Sequence, residues 1–282
     1  MHLTDGTIRY YRNMLGSILD YLKSIEIDTV DQITTEVIRN YLLHLETKGH
    51  NPGGVHGYFR VLRAFMRWLW DDYDIPTRNP IDKIKCKNRP PTPIEGITMD
   101  EVQSCMEACN QTRFPERAKA MIAVLVDTGL RRAELLGLTF DDVRISDGRI
   151  TVRNGKGGKF RIVYCGKECR KHLRRYIACL EDVKPSDPFW LTLDGEPLGL
   201  DGAREVIRRV QRQAGLSKIH DFHDFRRCFA IERKRNGDDD ITISRALGHS
   251  SLEVTKRYLA FTEDDDRSFA LRSSPMDNRK KR

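Results

Sequence analysis

The feature that most constrains the fold is a proline run, in which three of the four residues from 90 to 93 are proline. Neither a helix nor a central strand continues through such a run, because proline lacks a backbone N–H and its ring clashes with the preceding turn. The segment 89–96 is therefore predicted to be an extended linker. The chain has 282 residues, enough for about two domains. We expect one domain over 1–88, a second over 97–261, and a tail over 262–282.

Apolar residues before the linker recur at intervals of three and four, the spacing of helices that bury one face. Thr34 or Thr35 is a candidate N-cap for the second helix, and Gly49 and Pro52 separate that helix from the third. Strand-like alternation is absent, so residues 1–88 are predicted to form a small helical bundle. The three apolar stripes are Tyr11, Leu15, Ile18, Leu19 and Leu22; Ile38, Leu42 and Leu45; and Val55, Phe59, Leu62, Phe65, Met66 and Leu69.

After the linker the sequence remains mainly helical. Thr98 and Glu101 have the spacing of a capping box, and Gly129 is placed to end a buried helix. One hairpin interrupts this pattern, because apolar and polar residues alternate over 149–153 and again over 160–164. The expected fold is mainly α with a small β-hairpin or sheet, a helical domain followed by a mixed α+β domain. The alternating apolar positions are Ile150 and Val152 on the first strand and Phe160 and Ile162 on the second.

Charge and cysteine content restrict the class of protein. The chain carries 49 basic and 41 acidic residues, a net charge of +8, which favours a nucleic-acid partner. We expect neither a signal peptide nor a membrane span, because no basic–apolar–small segment opens the sequence and no stretch approaches the roughly 18–20 apolar residues of a span. We expect a cytoplasmic, nucleoid-associated protein. The seven cysteines include no Cys-x-x-Cys pair, so we expect reduced thiols and no metal site.

Two segments carry cations on turns. In Gly129-Leu130-Arg131-Arg132-Ala133-Glu134, an arginine follows a glycine turn at the start of a helix, where anions are favoured. Glu134 lies three residues after Arg131 and could orient its guanidinium. The hairpin turn holds Lys156 between glycines, where it could reach a substrate.

Two further segments carry groups suited to a phosphodiester. His223 and Arg226 share a helix face, so that the guanidinium could bind two phosphate oxygens while the imidazole moves a proton. Leu247-Gly248-His249-Ser250 places a histidine in a turn, and Tyr258 follows that histidine by nine residues. A tyrosine hydroxyl can act as a nucleophile when a base and cationic groups lie beside it.

In this order, the four segments resemble the tyrosine recombinase, or phage-type integrase, family. The resemblance covers residues 97 to about 261 by motif, and residues 1–88 by size and position. It implies a two-domain DNA clamp, with a helical core-binding domain and a catalytic domain. Because we expect no arm-binding domain before the helical part, the chain is similar to Xer-type recombinases and short integrases of mobile elements.

The resemblance implies a site-specific DNA recombinase or integrase that needs no cofactor, metal or ATP. Arg131 and Arg226 would hold the scissile phosphate and stabilise its transition state, His249 would contact the same phosphate, and Glu134 would orient Arg131.

The remaining implied roles concern the nucleophile and the protons. Tyr258 would attack the phosphate and form a 3′-phosphotyrosyl intermediate. His223 would accept the tyrosine proton, and Lys156 would protonate the departing 5′ oxygen.

Four of these assignments have a neighbouring rival. Arg132 and Arg227 each follow a proposed catalytic arginine, but Arg131 and Arg226 have the helical spacing to Glu134 and His223. Lys159 competes with Lys156, because hairpin register cannot be fixed from sequence. His220 competes with His223.

The expected partners are double-stranded DNA with inverted-repeat half-sites and further copies of the chain, a dimer on one site and a tetramer in synapsis. A DNA-bending accessory protein is a further possible partner, and the tail over 262–282 is expected to dock on a neighbouring protomer. The predicted DNA-binding residues are Arg60, Arg63, Arg67, Arg204, Arg208 and Arg212.

Two other functions stay open at the sequence level. A type IB topoisomerase would relax DNA with the same chemistry, and a catalytically inactive accessory protein would only bind DNA.

Overall fold

The computed structural model describes residues 5–86, 96–153 and 160–249, together with Thr255. The chain divides into two compact units, an N-terminal unit over Met1–Pro91 and a C-terminal unit over Thr92–Arg282. Each unit has its own hydrophobic core. Most of the predicted linker lies outside the described residues, and its bounds stay a prediction.

All the regular secondary structure in the described part of the N-terminal unit is helical, as the spacing of its apolar residues predicts. Thr34 is the N-cap of the second helix and accepts a hydrogen bond from the backbone of Val37. Asn51 caps the third helix, and Pro52 occupies its first turn. The helices are α1 (Asp5–Ser24), α2 (Thr35–Thr47) and α3 (Pro52–Asp72), with short 3-10 helices at Val30–Gln32 and Pro80–Lys83.

The core of the N-terminal unit forms where the three helices meet. Most predicted apolar positions are buried or half-buried, including Ile38 and Met66. The expected stripe on α1 is too wide, because Tyr11 is 38% and Leu19 is 54% exposed. α1 packs on α3, and these two side chains are not part of the buried core.

The C-terminal unit surrounds helix α5, which packs against α7, α8 and α9. The capping box between Thr98 and Glu101 is present at the start of α4. The helices are α4 (Met99–Ala108), α5 (Pro115–Thr128), α6 (Arg132–Leu136), α7 (Lys167–Ile177), α8 (Leu200–Gln213), α9 (Phe222–Arg235) and α10 (Asp240–Leu247).

Gly129 ends α5 in the left-handed conformation, with φ of 59°. A Cβ atom at this position would lie 2.6 Å from Cδ1 of Phe229 and 2.9 Å from Cδ2 of Leu247. Only glycine therefore fits without displacing its neighbours. The close approach brings the turn before Arg131 against α9 and α10.

The predicted hairpin forms strands β2 (Arg149–Val152) and β3 (Arg161–Tyr164), which pair antiparallel with Ile150 opposite Val163. A two-residue strand, β1 (Val143–Arg144), extends the sheet beyond the hairpin. Phe160, the first residue of the predicted strand over 160–164, precedes β3 and is 61% exposed. Val163 fills the core instead.

These elements confirm the expected fold class, mainly α with a small antiparallel sheet. Across 5–86, 96–153 and 160–249, no helix has the length and apolar character needed to cross a membrane.

Candidate active site

Arg226 is the most deeply buried charged side chain of the site, with 1% of its surface exposed. It lies on α9, and its Nη1 and Nη2 donate to the carbonyl oxygens of Gly129 and Leu247 at 2.6 and 2.5 Å. Hydrogen bonds of this kind offset the cost of burying the cation. They also join the turn after α5 to the end of α10, so the guanidinium is fixed on both sides.

Arg131 is the N-cap residue of α6 and pairs with Glu134, as their spacing predicts. Its backbone N–H and its Nη1 donate to the two carboxylate oxygens at 2.7 and 2.9 Å. Burial alone would raise the pKa of Glu134, but hydrogen bonds from Arg161 and Arg131 outweigh it and hold that pKa at about 2. The carboxylate is therefore ionised throughout the working pH range and orients Arg131.

Arg161 is a site residue that sequence reasoning missed. Located at the start of β3, it donates from Nη1 and Nη2 to both oxygens of Glu134, at 2.8 and 2.7 Å. The available signal was an arginine directly before the apolar pair Ile162-Val163, a position from which its guanidinium reaches a buried carboxylate. The sequence motifs gave no reason to prefer it over other strand arginines.

Three successive carbonyl groups at the end of α10 each accept a hydrogen bond from a different arginine. Arg161 donates to Ala246 at 3.0 Å, Arg226 to Leu247, and Arg131 to Gly248 at 3.4 Å. The C-terminus of a helix carries partial negative charge and favours cations. Backbone dipoles therefore hold the three guanidinium groups together.

His249 follows directly after Gly248, which has φ of 63°. Its Nδ1 lies 2.7 Å from Oγ1 of the buried Thr255. Burial lowers the pKa of His249, and the nearby Arg226 and Arg131 lower it further, to about 4. The imidazole is therefore neutral near pH 7.

His223 lies in the first turn of α9, whose N-cap Asp221 accepts hydrogen bonds from the backbone of residues 223 and 224. Partial burial of the ring and the charges of Arg226 and Arg227 lower the pKa of His223, although Asp221 raises it. Neutral imidazole is the form that can accept a proton.

The contacts of His220, the rival candidate for the role of His223, indicate that this residue has a structural role. Its side chain is buried, with Nε2 3.4 Å from Glu101 and Nδ1 3.5 Å from Asp224. Its backbone bonds with the side chain of Gln211. His220 thus connects α4, α8 and α9.

A cavity of about 790 Å³ opens beside Arg131. Its wall is strongly basic, with Asp221 as the one carboxylate among the described lining residues. We call it the arginine cavity, lined by Arg131, Arg132, Ala133, Arg204, Ile207, Arg208, Ile219, His220, Asp221, Phe222 and His223. Cationic and open, it suits a phosphate chain.

The predicted DNA-binding arginines of α8 follow each other at intervals of four, so they lie along one side of the helix. Arg204 and Arg208 line the arginine cavity, and Arg204 also pairs with Asp201 at 3.1 Å. Arg212 pairs with Glu205 at 3.3 Å, and Arg209 pairs with the same carboxylate at 3.8 Å.

The predicted DNA-binding residues of α3 form an exposed stripe. Arg60, Arg63 and Arg67 follow each other at intervals of three and four on the side of α3 away from the core. Arg67 pairs with Asp82 at 3.2 Å.

Lys156, Lys159 and Tyr258 lie outside the described residues, and their roles stay predictions. The described residues do bring Arg131, Glu134, Arg226 and His249 together at the end of α10. Among all the described residues, no cluster of His, Cys, Asp or Glu is large enough to hold a metal ion.

Comparison with known proteins places this chain in a family. Residues 95–264 match the phage integrase family, and residues 2–72 match the N-terminal SAM-like domain of phage integrases. The tyrosine recombinase XerC of Thermodesulfovibrio yellowstonii is 31% identical over 90% of this chain and 85% of its own length. The tyrosine recombinase XerD of Oceanobacillus iheyensis is 27% identical over 93% of this chain and 89% of its own length.

A solved structure supports the fold. The Tn1549 transposon integrase, in complex with transposon right end DNA, superposes with a TM-score of 0.75 at 20% identity, over 97% of this chain and 95% of that one.

More than half of the chain is covered by the family match, so the chain belongs to the phage integrase family, and it is a tyrosine-type site-specific recombinase. The expected family and enzyme class are confirmed. Neither a topoisomerase nor an inactive binding protein is favoured by these relatives.

Proposed function

We propose that this recombinase cleaves and rejoins duplex DNA with Tyr258 as its nucleophile, through a 3′-phosphotyrosyl intermediate. The observation that carries the proposal is the convergence of Arg131 and Arg226 on the carbonyls at the end of α10, directly before His249, with His223 on the arginine cavity. Two fixed guanidiniums beside neutral imidazoles suit a phosphodiester, whose charge increases on its oxygens as a nucleophile attacks.

In the first step, the hydroxyl oxygen of Tyr258 bonds to phosphorus while the bond from phosphorus to the 5′ oxygen breaks. The tyrosine proton passes to His223, and Lys156 gives a proton to the departing 5′ oxygen. In the second step, a 5′ hydroxyl attacks the phosphotyrosine, the bond to Tyr258 breaks, and the protons return. One phosphodiester replaces another, so the reaction conserves bond energy without ATP.

The arginines stabilise the transition state because they are placed before the substrate arrives. The guanidinium of Arg226 donates two hydrogen bonds to backbone carbonyls, and that of Arg131 donates one to Glu134 and one to Gly248. A guanidinium has five N–H donors, so Arg131 retains donors for phosphate oxygens. Fixed donors of this kind avoid reorganisation during the reaction.

We propose double-stranded DNA with inverted-repeat half-sites as the substrate, bound by a dimer on one site and a tetramer in synapsis. Arg204 and Arg208 would contact phosphates near the scissile one, and the α3 stripe would contact DNA separately. A DNA-bending partner and docking of residues 262–282 on a neighbouring protomer extend this proposal.

A suicide duplex, nicked so that the cleaved strand end is lost, tests the chemistry. The unaltered protein should form a covalent adduct with one half-site, and Tyr258→Phe should form none. Tyr164→Phe is the matched control, since Tyr164 lies on β3 with 61% exposure, and it should retain the adduct. Failure of the unaltered protein to form an adduct would refute the proposed chemistry.

A second assay separates recombination from relaxation. Two labelled duplexes with the same site should exchange strands, giving hybrid products in amounts that depend on both duplexes. Relaxation of supercoils without hybrid products would favour the topoisomerase function instead.

A further inference from the structure

Arg161 makes three side-chain hydrogen bonds to two different parts of the site. Its planar fork donates to both oxygens of Glu134, at 2.8 and 2.7 Å, while its Nε donates to the carbonyl of Ala246 at 3.0 Å. The side chain is only 11% exposed. It is also not among the described residues that line the arginine cavity, so its guanidinium faces the protein.

The first contact controls Arg131. Arg161 and Arg131 share the carboxylate of Glu134, and each carboxylate oxygen accepts a hydrogen bond from both residues. The carboxylate side chain is 2% exposed. A buried anion needs its partners to remain in place, so the direction of Glu134, and through it of Arg131, depends on Arg161.

The second contact controls the end of α10. Arg161 binds the carbonyl of Ala246, one residue before the carbonyl that Arg226 binds. It also packs against Gly248, where an added Cβ would lie 3.0 Å from Cδ of Arg161. Gly248 directly precedes His249, so movement of Arg161 would change the position of that histidine.

We propose that Arg161 is a positioning residue, which fixes Arg131 and His249 in the geometry that cleavage of the scissile phosphate requires. It acts through Glu134 and the end of α10, without touching DNA. The inference rests on the proposed function. It adds that the position of the phosphate-binding Arg131 depends on a residue of the hairpin.

Two substitutions and one control test the inference. Arg161→Gln removes the charge and the fork. Arg161→Lys keeps the charge but cannot make the three bonds of a planar guanidinium. Arg153→Gln is the control, because Arg153 follows β2 on the same hairpin and pairs with Asp141 and Asp142, at 2.7 and 2.5 Å, rather than with Glu134.

The decisive measurement compares two suicide duplexes in single-turnover cleavage. One has a normal scissile phosphate, and the other has a methylphosphonate, in which a methyl group replaces a charged oxygen. If Arg161 acts through Arg131, its loss matters most when that negative charge must be stabilised. Arg161→Gln should slow cleavage of the normal duplex by about a hundredfold, the effect of a small misplacement, and cleavage of the methylphosphonate by less than about tenfold.

The other expected results define the role. Arg161→Lys should lie between the glutamine variant and the unaltered protein on the normal duplex, and Arg153→Gln should match the unaltered protein. Affinity for one half-site should change by less than about twofold in every variant, because Arg161 contacts no phosphate.

Three outcomes would overturn the inference. Equal slowing on both duplexes would mean that Arg161→Gln merely reduces the folded fraction, since that loss is the same for either substrate. Normal cleavage by Arg161→Lys would show that the fork is not needed. If Arg153→Gln also slowed cleavage of the normal duplex more than cleavage of the methylphosphonate, the effect would belong to the hairpin in general and not to Arg161. If instead the unaltered protein forms no adduct with either duplex, the proposed function fails rather than this inference.

Discussion

The two units use arginine in opposite ways. On α3 of the N-terminal unit, Arg60 and Arg63 project from a helix whose core face is filled by apolar side chains. In the C-terminal unit, Arg226 is buried and its guanidinium is held by two backbone carbonyls. An exposed charge can attract DNA but is screened by salt and keeps its freedom to move. A buried, hydrogen-bonded charge is fixed in direction, which catalysis requires and binding does not.

The largest effect expected from this comparison is at Arg226. Arg226→Gln should reduce the rate of adduct formation by about a thousandfold, the upper range for loss of one transition-state donor. Arg227→Gln should cleave nearly normally, because Arg227 pairs with Asp224 at 2.6 Å on α9. Single-turnover cleavage of a suicide duplex measures both. Equal losses would mean that burial does not distinguish the two arginines.

A pair of glycines should show how tightly the C-terminal unit is packed. Gly129→Ala should lower the free energy of unfolding by about 3 kcal/mol, from left-handed strain plus contact with Phe229. Gly49→Ala in the N-terminal unit, with φ of 85° and open space around it, should cost only the strain, about 1 kcal/mol. Urea denaturation gives both values, and equal losses would contradict the packing argument.

Protonation of His223, the proposed base in the C-terminal unit, should lower the rate of cleavage. Because the pKa of His223 is lowered, the neutral base should persist below the usual histidine range near 6.5. Cleavage should therefore decline, by about tenfold per pH unit, only at lower pH. Asp221→Asn removes the carboxylate that raises this pKa and should move the decline to still lower pH, while Arg227→Gln should move it upward. Cleavage rates across pH 4.5–8 measure the shift, and movement of both variants in one direction would refute His223 as the base.

The smallest effects are expected on the α3 stripe. Arg60→Gln and Arg63→Gln should each reduce the slope of log affinity against log salt by about 1, as loss of one phosphate contact does. Arg39→Gln on α2 is the matched exposed control and should leave the slope unchanged. Half-site binding titrations between 50 and 200 mM salt test this. A flat salt dependence of the unaltered protein would remove the α3 stripe from the DNA interface.

Local signals explain what the sequence predicted well. The capping box of Thr98 with Glu101 and the left-handed Gly129 each depend on residues within one turn, so they are readable without knowing the fold. The pairing of Arg131 with Glu134 is of the same kind. The last two features mark the end of α5 and the start of α6, between which Arg131 lies.

What the sequence did not predict depends on contacts between distant residues. Arg161 lies 27 residues from Glu134 and 85 from Ala246, and no periodicity encodes such pairs. Exposure of Leu19 and Phe160 also escaped prediction, because an apolar residue marks a face only once its partner helix or strand register is known. The two-residue strand β1 is too short to show alternation.

The hydrogen bonds from arginine side chains to backbone carbonyls affect which substitutions this site can accept during evolution. The three arginines at the end of α10 bind carbonyl oxygens, which every amino acid possesses. Substitution of the Ala246 side chain therefore leaves its hydrogen-bond acceptor in place, provided that α10 stays helical. The backbone conformation of this segment is therefore under stronger constraint than the identity of its residues. Gly248 is the exception, since its left-handed backbone and its contact with Arg161 leave little room for another residue.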